Sequence, residues 1–352
     1  MAANTSTSGR LRRLAELRPQ RGMVLSVFFN LDPGEFGTPA ARATEVNSVV
    51  TAAARQIDEA GGLGHDERQA LRADVERVRE VLSGSDVASN GTHGLAVFAC
   101  GPADVLEVVR LPHPIESRAI VDDHACVEPL VRNGSSERWC VMLVNRKTAR
   151  ILIGTADELE EVDRIEDDTH GQHDQGGYSQ ARFARSVEQE KLNHLGRSLD
   201  ALFARFKRRP FDHLLVGAPE EMVAEVEERL HPYLRARLAG RLGIDVENSS
   251  AGEVKAAAAQ VVDRHEAAVE REALDRMAQG IGRGDRGVSR PEPVMEALEQ
   301  ARVEILLLAE DFDAPELDHA LEKAITQSAE VLVVRHHDDL VMHGGIGAVL
   351  RF

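Results

Sequence analysis

The sequence predicts an α/β protein of three domains, and three observations carry that prediction. Its 352 residues exceed what one ordinary hydrophobic core encloses. Short strand-like apolar runs alternate with helical patterns along the chain. A stretch rich in glycine and charge, Ile281–Pro293, reads as a linker before a last alternating block. The expected domains are therefore 1–120, 121–280 and 281–352. The first is an α/β domain. The middle one is a mixed sheet with a long helix after a Gly-Gly loop, and the last is a small α/β/α layer domain.

In the first region, MVLSVFFNL reads as a strand closed by the turn Asp32-Pro33-Gly34. Helical patterns follow over about Ala40–Glu59 and Asp66–Leu82, broken by Gly61, Gly62 and Gly64. Gly94–Cys100 and Val105–Leu111 read as paired strands across Gly101-Pro102, and Pro112 and Pro114 mark the end of the unit. In the middle region, Trp139–Gly154 reads as a hairpin turning at Asn145-Arg146-Lys147, with LEEVDRI as a candidate third strand. A polar loop, EDDTHGQHDQGGYSQ, has no apolar period. A long helix over about Ala181–Arg208 has one apolar stripe: Phe183, Val187, Leu192, Leu195, Leu199, Leu202 and Phe206. His213–Pro219 reads as a buried strand, and Glu220–Leu230 and Ser250–Gln279 as helices. The last region reads helix (Val294–Gln300), strand (VEILLL), helix (Pro315–Ser328), strand (VLVV) and GGIGAVLRF.

Composition narrows the function classes. The net charge of −17 argues against binding nucleic acid in bulk, including DNA, because phosphate recognition needs local positive charge. Basic residues are nonetheless segregated: Arg182, Arg185, Lys191, Arg197, Arg205, Lys207, Arg208 and Arg209 share one stretch. Aromatic residues make up 4% of the chain, so base-stacking platforms are not expected to be its main binding device. Cys100, Cys126 and Cys140 form no CxxC pair, which excludes a zinc ribbon or disulfide framework, and Cys100 and Cys140 read as small core residues. The opening MAANTSTSGR lacks the apolar segment of a signal peptide, and no run approaches a membrane span. A cytoplasmic protein without membrane partners is expected.

Two stretches resemble the class I release factors of eukaryotes and archaea and their relative Pelota. GGYSQARFAR, Gly176–Arg185, is similar to the family's Gly-Gly-Gln loop and the Ser-x-x-Arg-Phe start of the helix behind it, matched here by Ser179, Arg182 and Phe183. VMEALEQARVEILLLAEDF and the closing GGIGAVLRF resemble the entry and last strand of the family's third domain, whose fold is like that of a kink-turn-binding ribosomal protein. The nearer resemblance is to the bacterial branch and to the Vms1-like peptidyl-tRNA hydrolases. The N-terminal region carries no stop-codon-reading motif.

The resemblance implies a ribosome-associated protein whose partners are ribosomal RNA and peptidyl-tRNA, with a translational GTPase as candidate partner factor and no cofactor. In the family, the Gly pair lets the loop enter the peptidyl transferase centre, and the loop's backbone and Gln place a water at the ester. Here that Gln position is Tyr178, and a phenol lacks an amide's paired donor and acceptor. Gln180 serves instead if the loop enters in a shifted register; otherwise catalysis is lost. Gly176, Gly177, Tyr178 and Gln180 are thus the candidate catalytic segment, and Arg182, Arg185, Lys191 and Arg197 the candidate RNA contacts. Two functions follow: hydrolysis of the peptidyl-tRNA ester on stalled ribosomes, or non-enzymatic A-site occupancy as a hibernation factor.

Plainer readings compete at each position. Gly176-Gly177 is also an ordinary turn before a helix capped by Ser179. Arg205–Arg209 complements a helix C-terminus as well as it would a phosphate. Asp168, His170, His173 and Asp174 read as a hydrated polar loop rather than a metal site, since the ligand set is not closed. GIGRGDRG follows a helix and lacks the Lys-Ser/Thr ending of a phosphate loop, so nucleotide binding is rejected there.

Overall fold

A computed structural model describes residues 7–84, 92–111, 113–133, 137–155, 159–167, 180–335 and 338–352. In chain order the first elements are α1 (Thr7–Ala15), β1 (Val24–Asn30), α2 (Pro39–Glu59), α3 (His65–Gly84), β2 (Gly94–Cys100), β3 (Val105–Leu111), β4 (Arg118–Asp122) and α4 (Glu128–Arg132). Next come β5 (Trp139–Val144), β6 (Thr148–Gly154), β7 (Leu159–Glu166), α5 (Gln180–Arg208), β8 (His213–Gly217), α6 (Glu220–Arg229), α7 (Pro232–Arg235) and β9 (Leu238–Leu242). The last are α8 (Ala251–Arg283), β10 (Gly287–Ser289), α9 (Pro291–Glu299), β11 (Val303–Ala309), α10 (Leu317–Thr326), β12 (Glu330–Val334), α11 (Asp338–Met342) and β13 (Ile346–Leu350). The α/β class is as expected, built on three sheets. By packing, the chain divides into two compact units, Met1–Ser136 with Val269–Phe352, and Glu137–Ala268.

The first unit holds two sheets. One is antiparallel in the order β3-β2-β1-β4. Side chains alternate across it. Leu25, Val27, Phe29, Leu95, Val97 and Ala99 pack under α2 and α3 with Val50, Ile57, Leu71, Val75 and Val78. Val24, Phe28, Ala96, Phe98 and Cys100 enter a second core with Leu14 of α1 and with Val294, Leu298, Leu306, Leu321 and Ile346. Because both faces are covered, β2 reads as an unbroken apolar run and β1 as one interrupted by the buried Ser26. That second core joins the N-terminal sheet to the C-terminal layers.

The other sheet has the order β10-β13-β11-β12, with β11 and β12 parallel and β13 antiparallel to β11. Leu306 and Leu308 face α9 and α10. Ile305, Leu307 and Val349 face Ala273 and Met277 of α8 together with Leu340. This is the expected α/β/α layering. The Ile281–Pro293 stretch differs from its sequence reading. It is not a linker: α8 runs through Arg283, the chain turns at Gly284 (φ 72°), and β10 joins the sheet against β13. Gly282 and Gly284 have open space around them, whereas Gly287 packs backbone on backbone against Gly280 of α8. A Cβ on Gly287 would lie 2.1 Å from the Met277 carbonyl oxygen, and one on Gly280 would lie 2.4 Å from Gly287 N.

The second unit is one mixed sheet, β7-β6-β5-β8-β9, with β8 parallel to both β5 and β9. The Trp139–Gly154 hairpin and its third strand β7 form as read. Cys140, Met142, Val144 and Ile151 face α5 and α6, meeting Leu195, Leu202, Phe206, Met222 and Val226. Trp139, Val141, Leu143 and Leu215 face α8 at Val254, Ala258 and Val262. A reciprocal capping box starts α8: Glu253 Oε2 accepts from Ser250 N at 2.8 Å, and Ser250 Oγ accepts from Glu253 N at 3.2 Å. No helix among the described residues is long and apolar enough to cross a membrane. All three cysteines are buried and free; burial pushes the Cys126 thiol up to about 12, a property of core residues rather than nucleophiles.

One buried cation locks this sheet to the turn before α8. The Arg150 side chain is 4% exposed. It donates to Glu161 Oε2 at 2.9 and 2.6 Å and to the Ser249 carbonyl at 2.7 Å. Removing it strands those acceptors. Arg150→Ala is expected to lower the unfolding free energy by about 3 kcal/mol, read as a lower urea midpoint at unchanged slope. An unshifted midpoint would deny the network its structural role.

Candidate functional site

The site is organised by α5, whose 29 residues span ~43 Å. Its C-terminal half is seated on the sheet through Leu195, Leu199, Leu202 and Phe206. Charged pairs fix it laterally. Lys191 Nζ lies 2.8 Å from Glu225 on α6 and 3.0 Å from Glu188. Arg205 donates to Asp163 at 3.1 Å and to the Val162 carbonyl at 2.9 Å, both on β7. The Glu225 and Glu188 hydrogen bonds raise the Lys191 pKa, and the Lys191 contact lowers that of Glu225.

The end of β7 is tied down beside the same helix. Asp167 N donates to the Lys147 carbonyl at 2.9 Å. Its carboxylate accepts from His194 Nδ1 at 2.6 Å and from Arg197. Burial tends to raise the Asp167 pKa, but the hydrogen bond and charge of His194, with Arg197, outweigh it and the net shift is downward. An ionised Asp167 requires a proton on His194 Nδ1, so the contact sets the tautomer. The His194 ring is 1% exposed, its carbonyl accepts from the buried Ser198 Oγ at 2.8 Å, and its buried Nε2 has no hydrogen-bond partner among the described residues.

This clamp defines where the Gly-Gly segment departs and returns. The chain leaves β7 at Asp167, level with His194, and re-enters described structure at Gln180, the first residue of α5. Those two helix positions are fourteen residues apart, ~21 Å along the axis. Glu188, Gln189 and Glu190, just past the second turn of α5, are exposed.

Gly176, Gly177 and Tyr178 lie outside the described residues, as do Asp168, His170, His173 and Asp174. Gln180, Arg182 and Arg185 occupy the first two turns of the helix. Lys191 and Arg197, read from sequence as RNA contacts, are both engaged by carboxylates of their own unit. The sequence reading missed Asp167 and His194. The available signal was His194 and Ser198, polar residues four apart on the helix face that buries Leu195 and Leu202. Among the described residues, Asp122, Asp123 and His124 also bring ligand atoms within 4.8 Å, but His124 is already bonded to Asp123 at 2.8 Å, as in a turn.

Residues 127–279 match the model of bacterial archaeo-eukaryotic release factor family 10. That segment is similar to the bacterial archaeo-eukaryotic release factors. The match contains the whole of the Glu137–Ala268 unit, so the sheet, the clamp and α5 all lie within it. Solved structures similar to the chain include an archaeal translation termination factor, aRF1, at 19% identity, covering 97% of this chain and 96% of that one, TM-score 0.28. They also include archaeal Pelota from a model of its ribosome-bound form with ABCE1, at 15% identity over 99% and 95%, TM-score 0.45. A third is Dom34 of S. cerevisiae, a translation termination-like factor that interacts with Hbs1, at 10% identity over 74% and 79%, TM-score 0.44. No curated protein matches the chain.

The clamp's pH response follows from the Asp167 shift. A carboxylate whose pKa falls on folding contributes stability above its unfolded value, near 3.8, and loses it as pH drops through the lower folded value. Asp167→Asn is therefore expected to be less stable than the parent at pH 7, with the gap closing below about pH 4. Urea melts of both proteins at several pH values test this; a gap independent of pH would remove the charge from the explanation.

Proposed function

We propose that this protein acts on the ribosome and hydrolyses the peptidyl-tRNA ester on stalled complexes. The observation that carries the reading is the match to the release-factor family model, with a Gly-Gly motif four residues ahead of a long helix. In this reading the clamp of Asp167 on His194 and Arg197 fixes the base of the segment, while α5 carries its other end forward. Gly176 and Gly177 permit close approach to RNA, because residues without Cβ reach backbone angles closed to others. Gln180 orients a water. The water oxygen attacks the ester carbonyl carbon, and the bond from that carbon to the ribose oxygen breaks. The ribose oxygen takes a proton, leaving a free peptide acid and a tRNA with its terminal hydroxyls. Positioning and stabilisation of the developing oxyanion carry such a reaction, so a segment of few residues suffices. Arg182 and Arg185 hold phosphate beside it, and Lys191 and Arg197 serve chiefly to brace the helix.

In this reading the three sheet-centred regions, 1–120, 121–280 and 281–352, divide the labour. The first lies toward the decoding end of the A site, the second carries the catalytic segment, and the third contacts the ribosome or a partner factor such as a translational GTPase. One observation favours a second reading. Tyr178 occupies the family's Gln position, and a protein that binds the A site without cleaving anything, as in hibernation, has no need of the amide.

Purified stalled ribosomes carrying labelled peptidyl-tRNA separate the two. Gln180→Ala is expected to bind within a few-fold of the parent and to release peptide about 100-fold more slowly or worse, the scale of losing one positioned hydrogen-bonding group. Binding of the parent protein without any release would establish the occupancy reading instead.

A further inference from the structure

The opposite end of α5 carries a surface of different chemistry. A run of rings leads from the core of the release-factor unit to its outside. Phe211, 1% exposed, meets Phe206 edge-on with centroids 5.2 Å apart. Phe206 and Phe203 are near parallel at 6.4 Å, and Phe203 stacks on His231 at 3.9 Å and 16°. His231 lies 5.1 Å from Tyr233, which is 62% exposed. The outer members are fixed by backbone: His231 Nδ1 accepts from Tyr233 N at 3.3 Å, and Arg237, lying over Phe206 at 4.6 Å, donates to the Tyr233 carbonyl at 2.7 Å. An exposed tyrosine whose backbone and neighbours are held this way has little ordering entropy left to lose on binding.

A cation lies along this run. Lys207 Nζ sits 5.0 Å over the Phe203 ring. Lys207, Arg208 and Arg209 are consecutive, exposed, and without a carboxylate partner among the described residues. Yet Lys191, Arg197 and Arg205 on the same helix are all paired, and the chain holds 59 acidic residues against 42 basic ones. Carboxylates are plentiful, yet none among the described residues is paired with these three. The helix C-terminus welcomes these cations, but it gives no reason for a tyrosine held out beside them.

We propose that this surface binds an unpaired segment of RNA, with a base stacked on Tyr233 and phosphates on Lys207, Arg208 and Arg209. An aromatic platform flanked by free cations is the pairing that single-stranded RNA rewards, since every base has a π-face and every linkage a charge. An acidic protein segment would use the cations and gain little from a fixed ring. Phe203 lies twenty-three residues from Gln180, ~35 Å along α5, so this contact is separate from the Gly-Gly segment and does not depend on ester hydrolysis.

The test uses the full chain and a short, unstructured, fluorescently labelled RNA, with anisotropy read across a salt series and poly-glutamate as a second probe. Tyr233→Ala is expected to weaken RNA binding about tenfold, and Tyr233→Phe to bind as the parent does. Replacing Lys207, Arg208 and Arg209 together by Gln is expected to reduce the slope of log affinity against log salt by about 2. All four residues are exposed, so matching thermal transitions are expected and exclude unfolding as the cause. Absence of RNA binding by the parent, parental affinity in Tyr233→Ala, or an unchanged slope in the triple variant would overturn the proposal. Equal affinity for poly-glutamate would replace RNA by an acidic protein partner. None of these outcomes bears on peptide release, which Gln180→Ala tests alone.

Discussion

The seat of α5 on its five-stranded sheet is the constraint on which the functional part of the molecule depends. Leu195, Leu199, Leu202 and Phe206 present one stripe to Cys140, Met142, Val144 and Ile151, and that contact fixes the helix axis. The first turns of α5 continue along that axis. The ion pairs do a narrower job. Exposed pairs contribute little stability, but a carboxylate reached by a buried imidazole at 2.6 Å restricts where β7 ends relative to the helix. Packing sets the orientation of α5, and the Asp167 clamp sets the height on it from which the Gly-Gly segment departs.

Most of the architecture was legible because strands buried on both faces announce themselves as apolar runs. Val24–Phe29, Leu95–Cys100, Trp139–Val144 and Val303–Ala309 are all of this kind. What escaped notice was short or half-buried. β4 is RAIVD, with intermediate exposure along most of its length, and β9 is LAGRL. In β9 the residue that breaks the apolar pattern is required by the fold: a Cβ on Gly240 would lie 2.4 Å from Val261 Cγ1 of α8. Gly287, read as part of a linker, misled for the same reason. Glycine that permits contact and glycine that permits motion look alike in a sequence, and only the partner across the contact distinguishes them.

The candidate site divides along a similar line. The Gly-Gly motif and the helix behind it were visible because covalent order alone makes them adjacent. Asp167 and His194 were not, since they lie 27 residues apart and meet only once β7 and α5 share a sheet. The basic stretch shows the limit of reading charge from sequence. Eight cations between Arg182 and Arg209 look equivalent on the line. In three dimensions Lys191, Arg197 and Arg205 are consumed by Glu225, Asp167 and Asp163, whereas Lys207, Arg208 and Arg209 are exposed and pair with no carboxylate among the described residues.

That partition eases the tension between a net charge of −17 and the proposed RNA-directed function. At physiological salt, charges on an exposed surface act over about 8 Å, so a phosphate responds to the cations it touches far more than to the sum over the chain. A strongly acidic exterior with cations at chosen places disfavours loose association with nucleic acid and leaves docking to geometry. The low aromatic content works the same way. It argues against many stacking sites, yet one ring braced by Phe203 and His231 offers as firm a platform as any larger number of mobile ones. Scarcity in the composition, joined to fixed placement in the fold, is what selectivity for a single RNA geometry requires.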